Sequence, residues 1–189
     1  MRFDASRWMV IDLETTCWET REEQGIQTSD IIEIGIAIVD LRKRTIEASH
    51  QLYVFPTRSV ISPFCTELTG ITQQIVREKG LAFPVAWDRL EELCREANTG
   101  TWASWGDFDR VELLRATAYY KEDWILPRTH FNIKQLEATA SGRDRGVGQK
   151  RAAQAAGIEW EGRNHCGRDD AIMAARVLLD IWKGIPRAQ

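Results

Sequence analysis

Two acidic residues, Asp12 and Glu14, end a short apolar run that begins at Trp8. Side chains two positions apart on a strand point to the same face, so both carboxylates would project together. Neighbouring carboxylates repel each other and resist burial. A hard divalent cation between their oxygens would make the arrangement favourable. An Asp-x-Glu pair occurs in many unrelated chains, so it predicts a metal site only when further ligands accompany it.

A second acid of interest opens a helix predicted in the middle of the chain. Asp107 lies where the N-cap is expected, and capping would be its structural role. Asp109 falls in the first turn, on the apolar face that carries Leu113 and Ala116. An acid at the head of an apolar face points to the interior, so Asp109 is the better ligand candidate and Asp107 the alternative. A favourable interaction with the helix dipole would also explain an acid at position 109.

A third group leads into the last predicted helix. Asp170 shares the apolar face of Ala174 and Val177, whereas Asp169 is rotated off that face and suits a capping or solvent-facing role. His165 lies on the preceding loop. A loop histidine is usually an ordinary surface residue. Beside a metal cluster it is a candidate general base, because imidazole exchanges protons near neutral pH.

The order of these groups along the chain is more specific than any one of them. Four carboxylates that converge at one edge of a sheet can hold two divalent ions, typically about 3.5–4 Å apart, which activate a water and stabilise the leaving oxygen of a phosphodiester. The predicted cofactors are two Mg²⁺ or Mn²⁺ ions, and His165 would accept the proton of the water. The predicted metal ligands are Asp12, Glu14, Asp109 and Asp170.

The elements that must position these residues begin with strands and continue with helices. Strands are predicted over 8–15, 31–39, 48–55 and 101–105, with a hairpin turn at 40–45 and a surface loop at 18–30. Ser62 is the predicted N-cap of a short helix that has Pro63 at its first position and ends at Gly70. Further helices are predicted over 84–98, 107–121, 147–156 and 168–183. This pattern predicts an α/β fold with a mixed sheet, in a single domain over 1–189.

The composition is typical of a soluble globular protein, with 43% hydrophobic and 28% charged residues. No apolar run reaches the roughly 20 residues of a membrane span, and no signal-peptide pattern is present, so we expect a cytoplasmic protein. The four cysteines form no CxxC pair, which favours reduced thiols over a zinc site.

The net charge of −3 argues against a generic electrostatic coat for nucleic acid. The charge is spread unevenly along the chain. Residues 128–168 hold eight Lys/Arg and four Asp/Glu, a net charge of +4. Two bound divalent cations would also change the net charge of the chain to +1. A modestly acidic chain could therefore still accept a polyanion.

Three segments resemble the motifs of the DnaQ-like DEDDh 3′→5′ exonucleases: IDLETTC (11–17), WGDFDR (105–110) and HCGRDDA (165–171). The segments ISPFCTELTGIT (61–72), FNIK (131–134) and GVG (146–148) are similar to the Eri/KapD-like branch, many of whose members act on RNA. The resemblance covers roughly residues 9–183, with no appended RNA-binding domain expected. It implies a ribonuclease H-like fold, in which three antiparallel N-terminal strands and then parallel strands form a mixed five-stranded sheet flanked by helices.

The resemblance also implies roles for individual residues. The four acids match the metal-binding positions, with Asp109 at the second motif, and His165 matches the catalytic histidine. Leu68 and Thr69 match a segment that lines the pocket of the terminal nucleotide, although helix-end packing would explain them equally. Thr15 is a further expected substrate contact. Lys134 could reach a phosphate or face solvent, and Glu33 is interpreted as structural.

The resulting hypothesis is a metal-dependent 3′→5′ exonuclease that releases nucleoside 5′-monophosphates from single-stranded RNA or DNA 3′ ends, with RNA favoured. One alternative keeps the chemistry but acts on DNA or on short oligonucleotides. Another is a nucleic-acid-binding adaptor that kept the fold and lost catalysis. The adaptor would be indicated by a gap in the set of four acids and one histidine, and all five positions are filled.

Overall fold

The computed structural model describes residues 4–184, so both ends of the predicted 1–189 domain, residues 1–3 and 185–189, lie outside the described part. The strands are β1 (Asp4–Thr15), β2 (Ile31–Asp40), β3 (Thr45–Tyr53), β4 (Thr99–Ser104) and β5 (His130–Asn132). The helices are α1 (Arg21–Gln24), α2 (Pro63–Thr69), α3 (Gln73–Lys79), α4 (Phe83–Glu96), α5 (Phe108–Tyr120), α6 (Ile133–Ala140), α7 (Gln149–Ala155) and α8 (Gly167–Lys183). Among residues 4–184, no helix combines the length and the apolar character that crossing a membrane requires.

The strands form one mixed sheet in the order β3-β2-β1-β4-β5. The pairs β1–β2 and β2–β3 are antiparallel, whereas β1–β4 and β4–β5 are parallel. This arrangement confirms the predicted fold class. Since β1 is the middle strand, its carboxyl end lies beside the carboxyl end of its parallel neighbour β4. Ligands of α/β sheets typically bind in the crevice outside such strand ends.

Side chains on β1 alternate between two apolar cores, one on each face of the sheet. Met9 and Ile11 pack in the core that contains Trp87 of α4 and Leu113 of α5. Trp8 and Val10 pack on the opposite face, in the core that contains Ala174 and Leu178 of α8. Fully burying one such aliphatic or aromatic side chain stabilises the fold by about 1.5–3 kcal/mol. The two cores therefore fix which helices lie over each face of β1.

Helix α8 begins in direct contact with β2, and two glycines permit this approach. A Cβ atom on Gly35 would lie 1.9 Å from the backbone carbon of Gly167. A Cβ atom on Gly167 would lie 3.0 Å from the carbonyl oxygen of Asp12. Gly35 is the register partner of Asp12 in the β1–β2 pair. The start of α8 is consequently held against the part of β1 that carries the first acid.

Most predicted elements are present, with ends that differ by a few residues. Ser62 caps α2 by accepting a hydrogen bond from the N–H of Cys65, and Gly70 ends the helix in the left-handed conformation with φ 77°. The predicted loop at 18–30 contains the short helix α1. Four elements were not predicted from the residue pattern: α1, α3, β5 and α6. All four cysteines are free.

Candidate active site

The carboxyl end of β1 carries Asp12 and Glu14 on the face that α8 covers. They share this face with Trp8 and Val10, because side chains alternate along a strand. Glu14 is 8% exposed and is the register partner of Glu33 on β2. The register between β1 and β2 shifts directly after Glu14, a bulge of the kind that re-aims side chains next to active sites. The structure therefore places both acids side by side, as the sequence predicts.

Asp109, at the start of α5, joins this pair from the other side of the strand end. Its Oδ1 accepts a hydrogen bond of 2.9 Å from the N–H of Leu13, the residue between the two acids of β1. Its side chain is 4% exposed, which agrees with the prediction that it points to the interior. Asp109 is thus fixed to the carboxyl end of β1.

Asp107 occupies the N-cap position of α5 but does not cap the helix with its side chain. The prediction of a capping side chain was wrong for a local reason: the residue has φ −109° and ψ −5°. An N-cap residue typically has an extended backbone, which turns its side chain towards the free N–H groups. The Asp107 carboxylate instead accepts a hydrogen bond of 3.0 Å from the amide of Asn132.

Asp170, in the first turn of α8, holds the loop that carries His165. Its Oδ2 accepts a hydrogen bond of 2.9 Å from the N–H of His165. Its Oδ1 is buried and has no hydrogen-bond partner among the described residues. His165 is exposed and has a positive φ of 61°. One potential ligand atom from each of Glu14, His165 and Asp170 lies within 4.8 Å of the other two.

Burial and mutual repulsion make these acids unusually weak. Burial raises the pKa of Glu14 to about 8, and the charge of Asp170 adds to the effect. Burial likewise raises the pKa of Asp109 and of Asp170 to about 7. Burial, followed by the charges of Asp109, Asp170 and Glu14, raises the pKa of Asp12 well above its ordinary value. Positive charge placed among these groups would favour all four carboxylates in their ionised forms.

The donor set fits a hard divalent cation. Carboxylate oxygens are the ligands that Mg²⁺ and Mn²⁺ prefer in proteins. A buried carboxylate oxygen without a partner is costly, and a cation beside Oδ1 of Asp170 would remove this cost. Together with the clustered ligand atoms and the raised pKa values, this orphaned oxygen indicates that the residues present can hold metal.

The acids line a cavity of about 630 Å³, which we call the acidic cavity. Its wall includes residues that the sequence did not single out: Phe108, Gln149, Lys150, Arg151 and Asn164. Phe108 is 53% exposed and directly precedes Asp109. A large aromatic residue between two acids in the Asp107 to Asp109 segment is the signal that could have identified it. Lys150 and Arg151 gave a signal only through the basic character of residues 128–168.

Of the four residues that were expected to contact substrate, two line the acidic cavity and two do not. Thr15 and Leu68 line the acidic cavity. Thr69 does not: it is buried, and its hydroxyl donates to the carbonyl of Cys65 and accepts from the N–H of Ile71. Lys134 also lies outside the lining of this cavity.

Glu33 connects β2 to the start of α8. It is fully buried, and its Oε1 accepts hydrogen bonds of 2.9 Å from the N–H of Arg168 and from the amide of Gln51. Asp169 performs a similar task for the loop before α8, since its Oδ2 accepts from the N–H of Arg163. Both acids therefore hold backbone next to the cavity, and neither belongs to its lining.

Comparison with known proteins places the chain among nucleases. The profile of the Exonuclease family (RNase_T) matches residues 9–178. The chain is 30% identical to ERI1 exoribonuclease 2 of Xenopus laevis, over 91% of this chain and 28% of that protein. It is 28% identical to the 3′-5′ exonuclease Snipper of Drosophila melanogaster, over 86% of this chain and 64% of that protein. The chain thus spans less than two thirds of the length of either relative.

A solved structure supports the fold. The nuclease domain of 3′hExo, a DEDDh family member bound to rAMP, superposes with a TM-score of 0.80 at 23% sequence identity. The superposition covers 93% of this chain and 90% of that domain. This superposition confirms the predicted fold, and the family profile together with the ERI1 and Snipper relatives confirms the predicted resemblance to 3′→5′ exonucleases. With the family profile matched over most of its length, the chain belongs to the exonuclease family.

Proposed function

We propose that this chain is a metal-dependent 3′→5′ exonuclease that hydrolyses the phosphodiester bonds of single-stranded nucleic acid, with RNA favoured, to nucleoside 5′-monophosphates. The observation that carries the proposal is the buried, unpartnered Oδ1 of Asp170 within a cluster that includes Glu14 and His165. Acids assembled in this way, on a chain of the exonuclease family, are suited to hold cations at the scissile phosphate.

The ligands of the metal would be Asp12, Glu14, Asp109 and Asp170. Two bound Mg²⁺ or Mn²⁺ ions supply activation of a water and neutralisation of the charge on the leaving oxygen. His165 acts as the general base, since its exposed ring lies at the cavity and is held near the acids through its backbone bond to Asp170.

The wall of the acidic cavity would receive the terminal nucleotide. Leu68 and Thr15 supply contacts from α2 and from the end of β1. Phe108 offers an exposed aromatic face beside Asp109, and base stacking on such a ring is worth about 1–3 kcal/mol per base. Thr69 would act from behind this wall by fixing the end of α2. Lys134, outside the lining, would contact only a more distant part of the substrate.

The preference for RNA rests on the relatives, several of which are named exoribonucleases. The alternatives are the same chemistry on DNA or on short oligonucleotides, and a binding adaptor without catalysis. The adaptor is disfavoured because an adaptor has no need of a buried, unpartnered carboxylate oxygen beside a histidine. Single-stranded 3′ ends are the proposed partners in either enzymatic case.

The experiment is incubation of the protein with 5′-labelled single-stranded RNA and DNA in the presence of Mg²⁺ or Mn²⁺. We expect a ladder of products shortened one nucleotide at a time, formed faster on RNA, and none in the presence of chelator. Asp12→Ala and Asp109→Asn should abolish the ladder, because each removes a carboxylate that holds metal.

Asp107→Asn is the matched control for Asp109→Asn, since it makes the same chemical change two residues away on an exposed side chain. It should leave the rate within about twofold of the wild type, as is usual for surface changes of small energetic effect. Activity that survives Asp12→Ala, or that depends on Asp107 and not on Asp109, would contradict the assignment of the ligands.

A further inference from the structure

Helix α7 presents two basic side chains to the acidic cavity. Lys150 and Arg151 both line the cavity and are both exposed. Within residues 4–184, neither forms an ion pair, whereas Arg168 nearby pairs with Asp169. The side chains of Lys150 and Arg151 therefore offer two positive charges at the rim of a cavity whose floor is formed by carboxylates.

The position of this basic wall is fixed by contacts on the other side of α7. Ala152 and Ala153 are buried, and Ala153 packs in the core that includes Met173 of α8. At the start of α7, the side-chain amide of Gln149 donates a hydrogen bond of 2.6 Å to the carbonyl oxygen of Asp170. Helix α7, which carries Lys150 and Arg151, is thus hydrogen-bonded to Asp170, the residue whose Oδ1 has no partner among the described residues.

The flank of the acidic cavity next to Leu68 carries charge of the opposite sign to that of Lys150 and Arg151. A second cavity of about 910 Å³ shares Leu68 with the acidic cavity and extends along α1 and α2. Among the described residues, the charged side chains that line it are Glu19, Glu23 and Glu67, all of them exposed. A polyanionic strand would be repelled along this flank and attracted along α7.

We propose that Lys150 and Arg151 bind the internucleotide phosphates on the 5′ side of the scissile one, so that the single strand leaves the acidic cavity across α7 and not over α1 and α2. This inference rests on the proposed function, which places the terminal nucleotide in the cavity. Lys150 and Arg151 contact the part of the nucleic-acid strand that is retained after cleavage, and they make no contact with the nucleotide that is released.

The test compares ligands that have and lack these phosphates. Binding is measured by fluorescence anisotropy for a 5′-labelled oligoadenylate, and by its competition with AMP, with Ca²⁺ in place of Mg²⁺ to prevent turnover. Lys150→Ala and Arg151→Ala should each weaken binding of the oligoadenylate about tenfold at low salt. Each should also reduce the slope of log K against log[salt] by about 0.7, the value for one phosphate contact on a single strand.

AMP carries none of the upstream phosphates, so its competition should be unchanged by either substitution. Lys79→Ala is the matched control, because Lys79 is an exposed lysine on α3 outside the lining of both cavities. Neutralising Glu19 and Glu67 by substitution with Gln should not weaken binding of the oligoadenylate.

Three results would overturn the inference: no loss with either α7 variant, an equal loss with Lys79→Ala, or an equal loss for AMP. Absence of oligoadenylate binding by the wild type would overturn it together with the proposed function. A wild type that binds the oligoadenylate through α7 but yields no product ladder with Mg²⁺ or Mn²⁺ would sustain the inference and contradict the proposed catalysis alone.

Discussion

The side chain of His165 projects from a backbone in the left-handed region, with φ 61°. Non-glycine residues seldom adopt this conformation, and asparagine tolerates it better than most. The loop is held by the bond from the N–H of His165 to Asp170, which any residue except proline at position 165 could make. The imidazole is therefore available for chemistry, since the fold does not depend on it.

Replacing His165 should separate catalysis from binding. We expect His165→Asn to lower kcat by about 10²–10⁴-fold, the usual contribution of a general base, while KM for oligonucleotide changes little. Steady-state kinetics on a labelled oligonucleotide checks this, with His50→Gln on β3, outside the acidic cavity, as the control. A parallel rise in KM, or loss of bound metal, would instead show that His165 holds the site together.

At the residue scale, the sequence predicted which side chains meet but not how they are held. It was possible to predict that the four acids lie close together. The prediction used the spacing of Asp12 and Glu14 and the apolar faces that carry Asp109 and Asp170. The bond from the N–H of Leu13 to Asp109 was not predictable, because it joins residues 96 positions apart. The failed prediction of a capping Asp107 has a local origin, since its backbone is not extended, and its carboxylate bonds instead to Asn132 on β5.

At the scale of elements, the contact between β2 and α8 positions the acids on different parts of the chain. The Cβ atom of an alanine at position 35 would overlap the backbone of Gly167, which cannot move as the end of a flexible side chain could. Helix α8 would have to shift away from β2, carrying Asp170 with it. The cost of such overpacking is typically about 1–3 kcal/mol and occasionally more.

Gly35→Ala should accordingly lower the free energy of unfolding by at least that amount and weaken Mn²⁺ binding. Urea denaturation followed by circular dichroism, and titration calorimetry with Mn²⁺, measure the two effects. Gly184→Ala is a suitable control, because its added Cβ atom would make only an ordinary contact, 3.5 Å from the carbonyl oxygen of Ile181. Unchanged stability in Gly35→Ala would contradict the role assigned to this contact.

The elements that were predicted and those that were not differ in length and in burial. Strand β1 contains a continuous apolar run before its acids, β2 is mostly β-branched and apolar, and α8 repeats apolar residues at helical spacing, so their patterns are strong. Helix α3 has one buried residue, Val76, and β5 is three residues long. Such elements are specified by the tertiary contacts around them more than by their own sequence.

For the whole molecule, the clustered acids make stability depend on pH when metal is absent. The pKa values of Glu14, Asp109 and Asp170 are raised to about 7–8 in the folded state and return to ordinary values near 4 on unfolding. At pH values between about 4 and about 8, the folded protein therefore binds more protons than the unfolded chain. Stability should therefore be greatest at the acidic end of this range and fall as the pH rises to about 8.

The expected loss is on the order of a few kcal/mol per buried carboxyl. Thermal unfolding of the metal-free protein at about pH 5.5 and about pH 8 measures it. Mg²⁺ or Mn²⁺ should raise Tm more at the higher pH, because cations then replace protons that the acids have lost. Stability that rises with pH in the metal-free protein would show that these carboxyls are ionised without metal.

The central position of β1 has a kinetic consequence. Residues 8–10 of this strand pair with β2 on one side and β4 on the other, so their amides exchange with solvent only when the sheet opens. The N–H of His165 is held by one side-chain bond on an exposed loop, and we expect its hydrogen to exchange much sooner. The two acids of β1 directly follow this doubly paired segment, whereas His165, the proposed general base, lies on the exposed loop. Any motion that accompanies turnover should accordingly displace the loop of His165 more than the paired part of β1.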